Sequence, residues 1–212
     1  MYRETHESGR WKFPFILYRP DTCEGKLPLV IQLHGAGERG HGGDALIITE
    51  RYGFSKLMTP DADYPCLLVV PQCPPETFWF TEVSAIYELI QQIRARWDVD
   101  ETRIYLTGIS MGAYGTWQTA ARHPDLFAAI APVCGGGILW TASLLKMPIW
   151  AFHGTDDSVV PFEESLNMIR AVRGFAEPKQ DVRFTAFDGV GHNAWDYTFD
   201  EPLLQWLLSK HK

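Results

Sequence analysis

The chain has 212 residues, 46% of them hydrophobic and 21% charged, enough to close one well-buried core and short for two. Its 19 basic and 26 acidic residues leave a net charge of −7 without long like-charge runs, which argues against nucleic acid or an anionic membrane surface as a partner. No apolar stretch approaches the roughly 20 residues that span a bilayer, and the start Met1-Tyr-Arg-Glu-Thr-His-Glu7 does not read as a secretory or transit signal, so a soluble, cytoplasmic protein with a single domain over 1–212 is expected.

Short β-type runs alternate with helical patterns along the chain. An extended lead-in at Phe13–Tyr18 is followed by the run Pro28–Leu33, which ends at His34-Gly35-Ala36-Gly37. Cys66–Val70 ends at Pro71. Val83, Ile86, Tyr87, Ile90, Ile93 and Trp97 then share one face at helical spacing. Arg103–Thr107 ends at Gly108, Phe127–Val133 ends in three glycines, and Pro148–Phe152 ends at His153-Gly154. A helix starting at Pro161 carries Phe162, Leu166, Ile169 and Val172 and should stop at Gly174. Val182–Phe187 is the last strand, and Pro202–Leu208 closes the chain as a helix. Continuously apolar strands are buried on both faces, so the pattern predicts an α/β architecture, a mostly parallel sheet between helices. Function in such sheets sits at the carboxyl ends of strands, where this sequence keeps its glycines and histidines.

Four cysteines (Cys23, Cys66, Cys73, Cys134) show no close-paired metal spacing and read as small buried thiols. Cys66 and Cys73 flank an extended run and should lie on the order of 20 Å apart, too far for a disulfide. His34, His41 and Asp44 lack paired ligand spacing, so no metal is expected.

The strongest signal is Gly108-Ile-Ser110-Met-Gly112 between an apolar strand and a helix start. In that context G-x-S-x-G is a nucleophile elbow, with the serine on a strained turn and glycines removing side chains that would collide there. Without the chemistry it is a glycine-rich turn with a serine cap. A serine hydroxyl needs a base and an acid to orient that base. Of the downstream histidines, His211 is in a tail, His123 at a helix exit and His153 at a strand end, whereas His192 lies in the glycine loop after the last strand. Asp157 is the chosen acid; spacing alone leaves Asp156 open, and Asp188 is also near. Either aspartate of the pair could instead cap the helix that follows. An oxyanion hole needs two N–H donors. Met111 supplies one and the His34–Gly40 loop the other, with Ala36 preferred to Gly37.

Taken together, His34-Gly-Ala-Gly-Glu-Arg-Gly40, Gly108-Ile-Ser-Met-Gly-Ala-Tyr-Gly115, His153-Gly-Thr-Asp-Asp-Ser-Val-Val-Pro161 and Gly191-His-Asn-Ala-Trp195 resemble the α/β-hydrolase carboxylesterases. The likeness is to small microbial esterases of the predicted-peptidase or prolyl-oligopeptidase-like type, with feruloyl and acetyl-xylan esterases nearby. It runs from about Phe13 to the end of the chain. In that pattern the acid matches Asp157 and the histidine His192. Ala113 departs from it, since many relatives carry glycine there. The resemblance implies a serine carboxylesterase that hydrolyses small acyl, aryl or carbohydrate esters without a cofactor.

Only fourteen residues separate Val133 from Pro148, where lidded hydrolases insert a helical cap, so an open site is expected. Trp79, Trp140 and Trp195 sit on loops near it and are candidates to stack on substrate rings. A serine peptidase, a thioesterase and a non-catalytic binding module are the competing readings.

Overall fold

In a computed structural model, residues 1–22 and 25–212 are described; Cys23 lies outside them. The strands are β1 (Tyr2–His6), β2 (Phe15–Arg19), β3 (Leu27–Leu33), β4 (Leu67–Pro71), β5 (Val99–Ile109), β6 (Ala129–Val133), β7 (Ile149–Gly154) and β8 (Val182–Phe187). The helices are α1 (Val83–Arg96), α2 (Met111–Arg122), α3 (Phe162–Phe175) and α4 (Glu201–Leu208).

All eight strands form one sheet in the order β1-β2-β4-β3-β5-β6-β7-β8. β4, β3, β5, β6, β7 and β8 pair in parallel, while β1 and β2 join the edge antiparallel. This is the mostly parallel sheet that the strand and helix alternation predicts, in the arrangement the α/β-hydrolase resemblance implies. Side chains alternate between its two faces, as the pleat requires. Leu29, Ile31 and Leu33 pack with the buried stripes of α1, α2 and α3, whereas Val30 packs with α4 and with Leu46 and Phe54.

Several bounds shift by a few residues, β5 most, since it runs over Val99–Ile109, and three departures from expectation have identifiable reasons. β1 is polar and half-exposed, so no apolar run announces it; its backbone pairs with β2 while its side chains stay wet. α3 runs through Gly174 to Phe175, because a single glycine costs only about 1 kcal/mol and Val172 anchors the last turn in the core. α4 begins at Glu201, one residue before Pro202, because the Asp200 carboxylate accepts the Leu203 N–H at 2.9 Å and caps it.

Cys66, Cys73 and Cys134 are unbridged and buried, and burial pushes each thiol up to about 12. The β6–β7 connection holds only a six-residue 3-10 turn, Leu139–Leu144, so nothing in it roofs the sheet edge. Among the described residues no helix is long and apolar enough to cross a membrane.

Candidate active site

Ser110 sits between β5 and α2 with φ 51° and ψ −115°, a left-handed backbone that costs a non-glycine residue on the order of 1–3 kcal/mol. Its surroundings enforce it. The Ser110 N–H donates to the Val133 carbonyl at 2.9 Å, and its own carbonyl accepts the Ala113 N–H at 2.9 Å. A Cβ on Gly112 would run into the backbone of Leu33 and His34, and one on Gly108 into the carbonyl of Gly112. The two glycines of the motif are therefore required by the close approach of α2 to β3 and β5.

The elbow presents Ser110 to His192, whose Nε2 lies 2.9 Å from Ser110 Oγ. His192 Nδ1 lies 2.6 Å from Asp157 Oδ2. Asp157 takes the backbone donors of the loop after β7: its Oδ1 accepts the N–H groups of Val159 and Val160, both at 2.9 Å. Burial alone would raise its carboxyl, but the hydrogen bonds from His192, Val160 and Val159 outweigh it and hold the group below the usual carboxylate range. Asp156 is exposed and faces Thr155, and Asp188 is exposed too. Of the remaining histidines, His123 stacks on Tyr87 and His211 is exposed, so neither approaches Ser110.

His153 has a place that spacing did not reveal. Its Nε2 faces two acceptors, Asp157 Oδ2 at 3.1 Å and the Val160 carbonyl at 3.0 Å, so that nitrogen carries the proton. Burial lowers its basicity and keeps the ring neutral. Its Nδ1 lies 2.7 Å from Ser165 Oγ. His153 is thus a neutral donor that holds the carboxylate from behind. The signal in the sequence was there: the residue stands next to the last in β7, four positions before Asp157.

The loop after β3 carries the second half of the site. Ala36 opens a 3-10 turn and Met111 opens α2, so the N–H of each lacks a partner within its own helix. A Cβ on Gly35 would stand 3.8 Å from Ser110 Cβ, which puts this loop against the serine. His34 shapes it. Its Nε2 accepts the Cys73 N–H at 2.9 Å, so Nδ1 holds the proton and donates to the Gly35 carbonyl at 2.6 Å. With that carbonyl tied back, the Ala36 N–H, trans across the same peptide, points the other way. Beneath the loop, burial raises the Glu38 carboxyl, while the Gly35 N–H pulls it the other way.

Burial pushes His34 down to about 4. Unfolded, it would bind a proton below about 6.5, while the folded protein resists until about 4, so its contribution to stability is lost as pH falls across that window. Over it the loss should total about 3 kcal/mol, at roughly 1.4 kcal/mol per unit. Urea unfolding at pH 7 and 4.5 should show a smaller decline for His34→Gln than for the wild type. Parallel declines would remove His34 from the account.

The three tryptophans separate. Trp79 is a correction: it is fully buried, with its Nε1–H donating to the His34 carbonyl at 3.1 Å and its ring edge-on to His34 and Phe13. Phe78 and Phe80 face outward, stacked at 5.2 Å, and an alternating loop that turns two rings out turns the middle one in. Trp79 props the loop from below and has no surface for a substrate. Trp140 is 82% exposed on the β6–β7 connection. Trp195 stands edge-on to His192 at 5.0 Å with Tyr52 on its other side at 5.6 Å, a neighbour the sequence did not indicate.

His34, His41 and Asp44 do not gather: His34 is committed to its loop, and His41 pairs with Glu76 at the surface. Among the described residues the cluster of ligand-type atoms is Cys134, Asp157 and His192, within 4.8 Å of one another. The latter two are already joined to each other, and the Cys134 thiol is held protonated by burial and the neighbouring Asp157 carboxylate.

Against known proteins, the family model described as Esterase PHB depolymerase matches residues 13–145. The chain is 26% identical to the poly(3-hydroxyalkanoate) depolymerase C of Paucimonas lemoignei over 194 residues, covering 84% of this chain and 43% of that protein. It is 24% identical to a bifunctional acetylxylan esterase/xylanase of Neocallimastix patriciarum, over 99% of this chain and 31% of that protein. The chain therefore spans less than half the length of either relative. A solved structure of a thermostable esterase superposes on all of this chain and 63% of its own, with a TM-score of 0.81 and 30% identity. The family match covers the loop after β3 and the serine elbow but stops before Asp157 and His192, so for those two the case is geometric.

Proposed function

The chain belongs to the Esterase PHB depolymerase family, and from that premise we propose that it is a serine carboxylesterase, one α/β-hydrolase domain acting on small acyl, aryl or carbohydrate esters. The observation that carries the reading is the unbroken hydrogen-bond chain Ser110 Oγ, His192 Nε2, His192 Nδ1 and Asp157 Oδ2, at 2.9 and 2.6 Å.

In this reading His192 removes the Ser110 proton as Oγ attacks the ester carbonyl, and Asp157 stabilises the imidazolium that results. The Ala36 and Met111 N–H groups hold the oxyanion, each contributing on the order of 3 kcal/mol to lowering the barrier. His192 returns its proton to the departing alkoxide, which leaves as the alcohol and leaves an acyl group on Ser110. Water, deprotonated by His192, then releases the carboxylic acid and restores the serine. The residues need no metal for this sequence, because the charge that develops is met by backbone donors and His192. Trp195 beside His192 and the exposed Trp140 offer rings to a sugar or aryl group at the rim.

The discriminating experiment compares p-nitrophenyl acetate and butyrate with a chromogenic peptide anilide. Ester turnover with an initial burst of p-nitrophenol is expected. Peptide turnover with inert esters would establish a peptidase instead.

A further inference from the structure

Asp157 stands between two pairs of serine and histidine, and the catalytic chain uses only one of them. Ser110 and His192 approach its Oδ2 from the elbow, at 2.9 Å between serine and ring and 2.6 Å between ring and carboxylate. Ser165, in the first turn of α3, and His153, in β7, approach the same oxygen from within the core, at 2.7 Å and 3.1 Å. His153 and Ser165 are both fully buried, so no substrate reaches them. Any effect of this second pair on the reaction must pass through Asp157.

Counting protons assigns the roles. With its Nε2 proton facing Asp157 Oδ2 and the Val160 carbonyl, His153 keeps a bare lone pair on Nδ1 in a closed interior. The Ser165 hydroxyl lies between that nitrogen and the Gly135 carbonyl at 2.8 Å, and the same carbonyl also accepts the Trp117 Nε1–H at 3.2 Å. Turned to Nδ1, the hydroxyl proton completes the lone pair and leaves Gly135 to Trp117, so Ser165 stabilises the tautomer that aims an N–H at the acid. The carboxylate then has its roughly four acceptor sites filled. The Val159 and Val160 N–H groups occupy Oδ1, and the two imidazoles share Oδ2.

Sharing Oδ2 has a consequence for the base. An oxygen bonded to His192 alone would hold the imidazolium more tightly, whereas a second donor draws off part of its charge. His192 has to give a proton to the leaving alkoxide as readily as it takes one from Ser110, and a moderated carboxylate suits both halves of that task. Resting on the esterase reading above, we propose that Ser165 and His153 form a positioning pair that fixes Asp157 and tempers its hold on the His192 proton. Other groups also face the Asp157 and His192 pair. Cys134, just after β6, has its thiol within 4.8 Å of both and is held protonated by burial. Tyr114 on α2 senses the Asp157 charge and lies beside Glu164 of α3, while Asp156 and Asp188 are exposed on the loops after β7 and β8. All of these stay the same when only position 153 is changed.

The test compares wild type, His153→Asn and His153→Gln with p-nitrophenyl acetate across pH. Asparagine keeps a polar group at the place of Nδ1, facing Ser165, but ends short of the acid; glutamine carries an N–H out to the place of Nε2. In His153→Asn the acid limb of the kcat/KM profile, where His192 takes up its proton, should move up by roughly half a pH unit. Its plateau kcat should fall roughly tenfold with KM unchanged, since the residue touches no substrate. His153→Gln should restore both. A lower plateau with the limb unmoved makes His153 a packing residue and overturns the proposal, as does a glutamine variant no better than asparagine. A second arm needs no substitution: long-range 1H–15N correlation spectra of wild type read the ring tautomers directly. His153 neutral with its proton on Nε2 is expected, and a proton on Nδ1 overturns the pairing even where the asparagine variant does not fold. Should wild type hydrolyse no ester, the esterase reading itself falls, and the tautomer of His153 still decides the pairing with Asp157.

Discussion

Ser110→Ala is expected to lower kcat for p-nitrophenyl acetate by roughly 10⁴- to 10⁶-fold, with the protein still folded. The substitution removes one oxygen and nothing else. The strained backbone at φ 51° is held by the Val133 carbonyl and the Ala113 N–H, neither of which touches the side chain. Alanine keeps the Cβ, so the left-handed turn is no more strained than with serine. The oxyanion donors also stay, which is why some rate above that of water should persist. The p-nitrophenol burst must vanish along with turnover, because no acyl-enzyme can form. Thermal unfolding within a few degrees of wild type would show that the fold is intact. A Ser110→Ala protein with near-wild-type turnover would place the nucleophile elsewhere.

Asp157→Asn should cost about 10⁴-fold in kcat, through the tautomer of His192. The carboxylate is surrounded by donors: Val159 and Val160 N–H on Oδ1, and His192 Nδ1 and His153 Nε2 on Oδ2. An amide offers one acceptor and one donor end. Backbone N–H groups cannot reverse, so the amide oxygen must take their side and the NH₂ must face His192. His192 then accepts at Nδ1 and carries its proton on Nε2, where it can no longer take one from Ser110. His153 meanwhile loses an acceptor, so a stability loss of about 1–3 kcal/mol should accompany the rate loss. The pH dependence has a definite sign. Asp157 is held below the ordinary carboxylate value in the folded protein, so its contribution to stability is present above about 3.8, the unfolded value, and is lost as pH falls through the folded one. The Asp157→Asn variant should lack that acid-side decline. The same assay on Asp156→Asn separates the two neighbours: that carboxylate is exposed beside Thr155, and its loss should leave kcat within a few-fold. A reversal of the two results would transfer the acid role to Asp156.

Much of the fold is legible before any coordinates because its strands are buried on both faces. A run such as Leu67–Val70 can be continuously apolar only if helices cover both sides, and Ile86, Ile90 and Ile93 of the α1 stripe do part of that covering, joined by Ala85 and Leu89, whereas Tyr87, which spacing placed on the same stripe, is exposed. β1 escapes notice for the opposite reason: Tyr2–His6 is an edge strand held by backbone hydrogen bonds, which leave no trace in side-chain pattern. The elbow is legible as well, since both of its glycines are dictated by backbone contacts within a few residues and across to β3.

What the sequence by itself determined, then, is what short-range sterics and two-sided burial impose: the sheet, the exposed serine, the glycine loop beside it and the short connection over the edge. Tertiary structure decided which groups meet. Asp157 rather than Asp156 receives the Val159 and Val160 N–H groups, and His153 lies against Asp157 at 3.1 Å while His192 is the histidine that reaches Ser110. Trp79 turns inward beneath the His34 carbonyl while Phe78 and Phe80 turn out. Each of these depends on the direction in which a side chain leaves a loop, and that direction is set by partners far away in the chain, not by the spacing of residues along it.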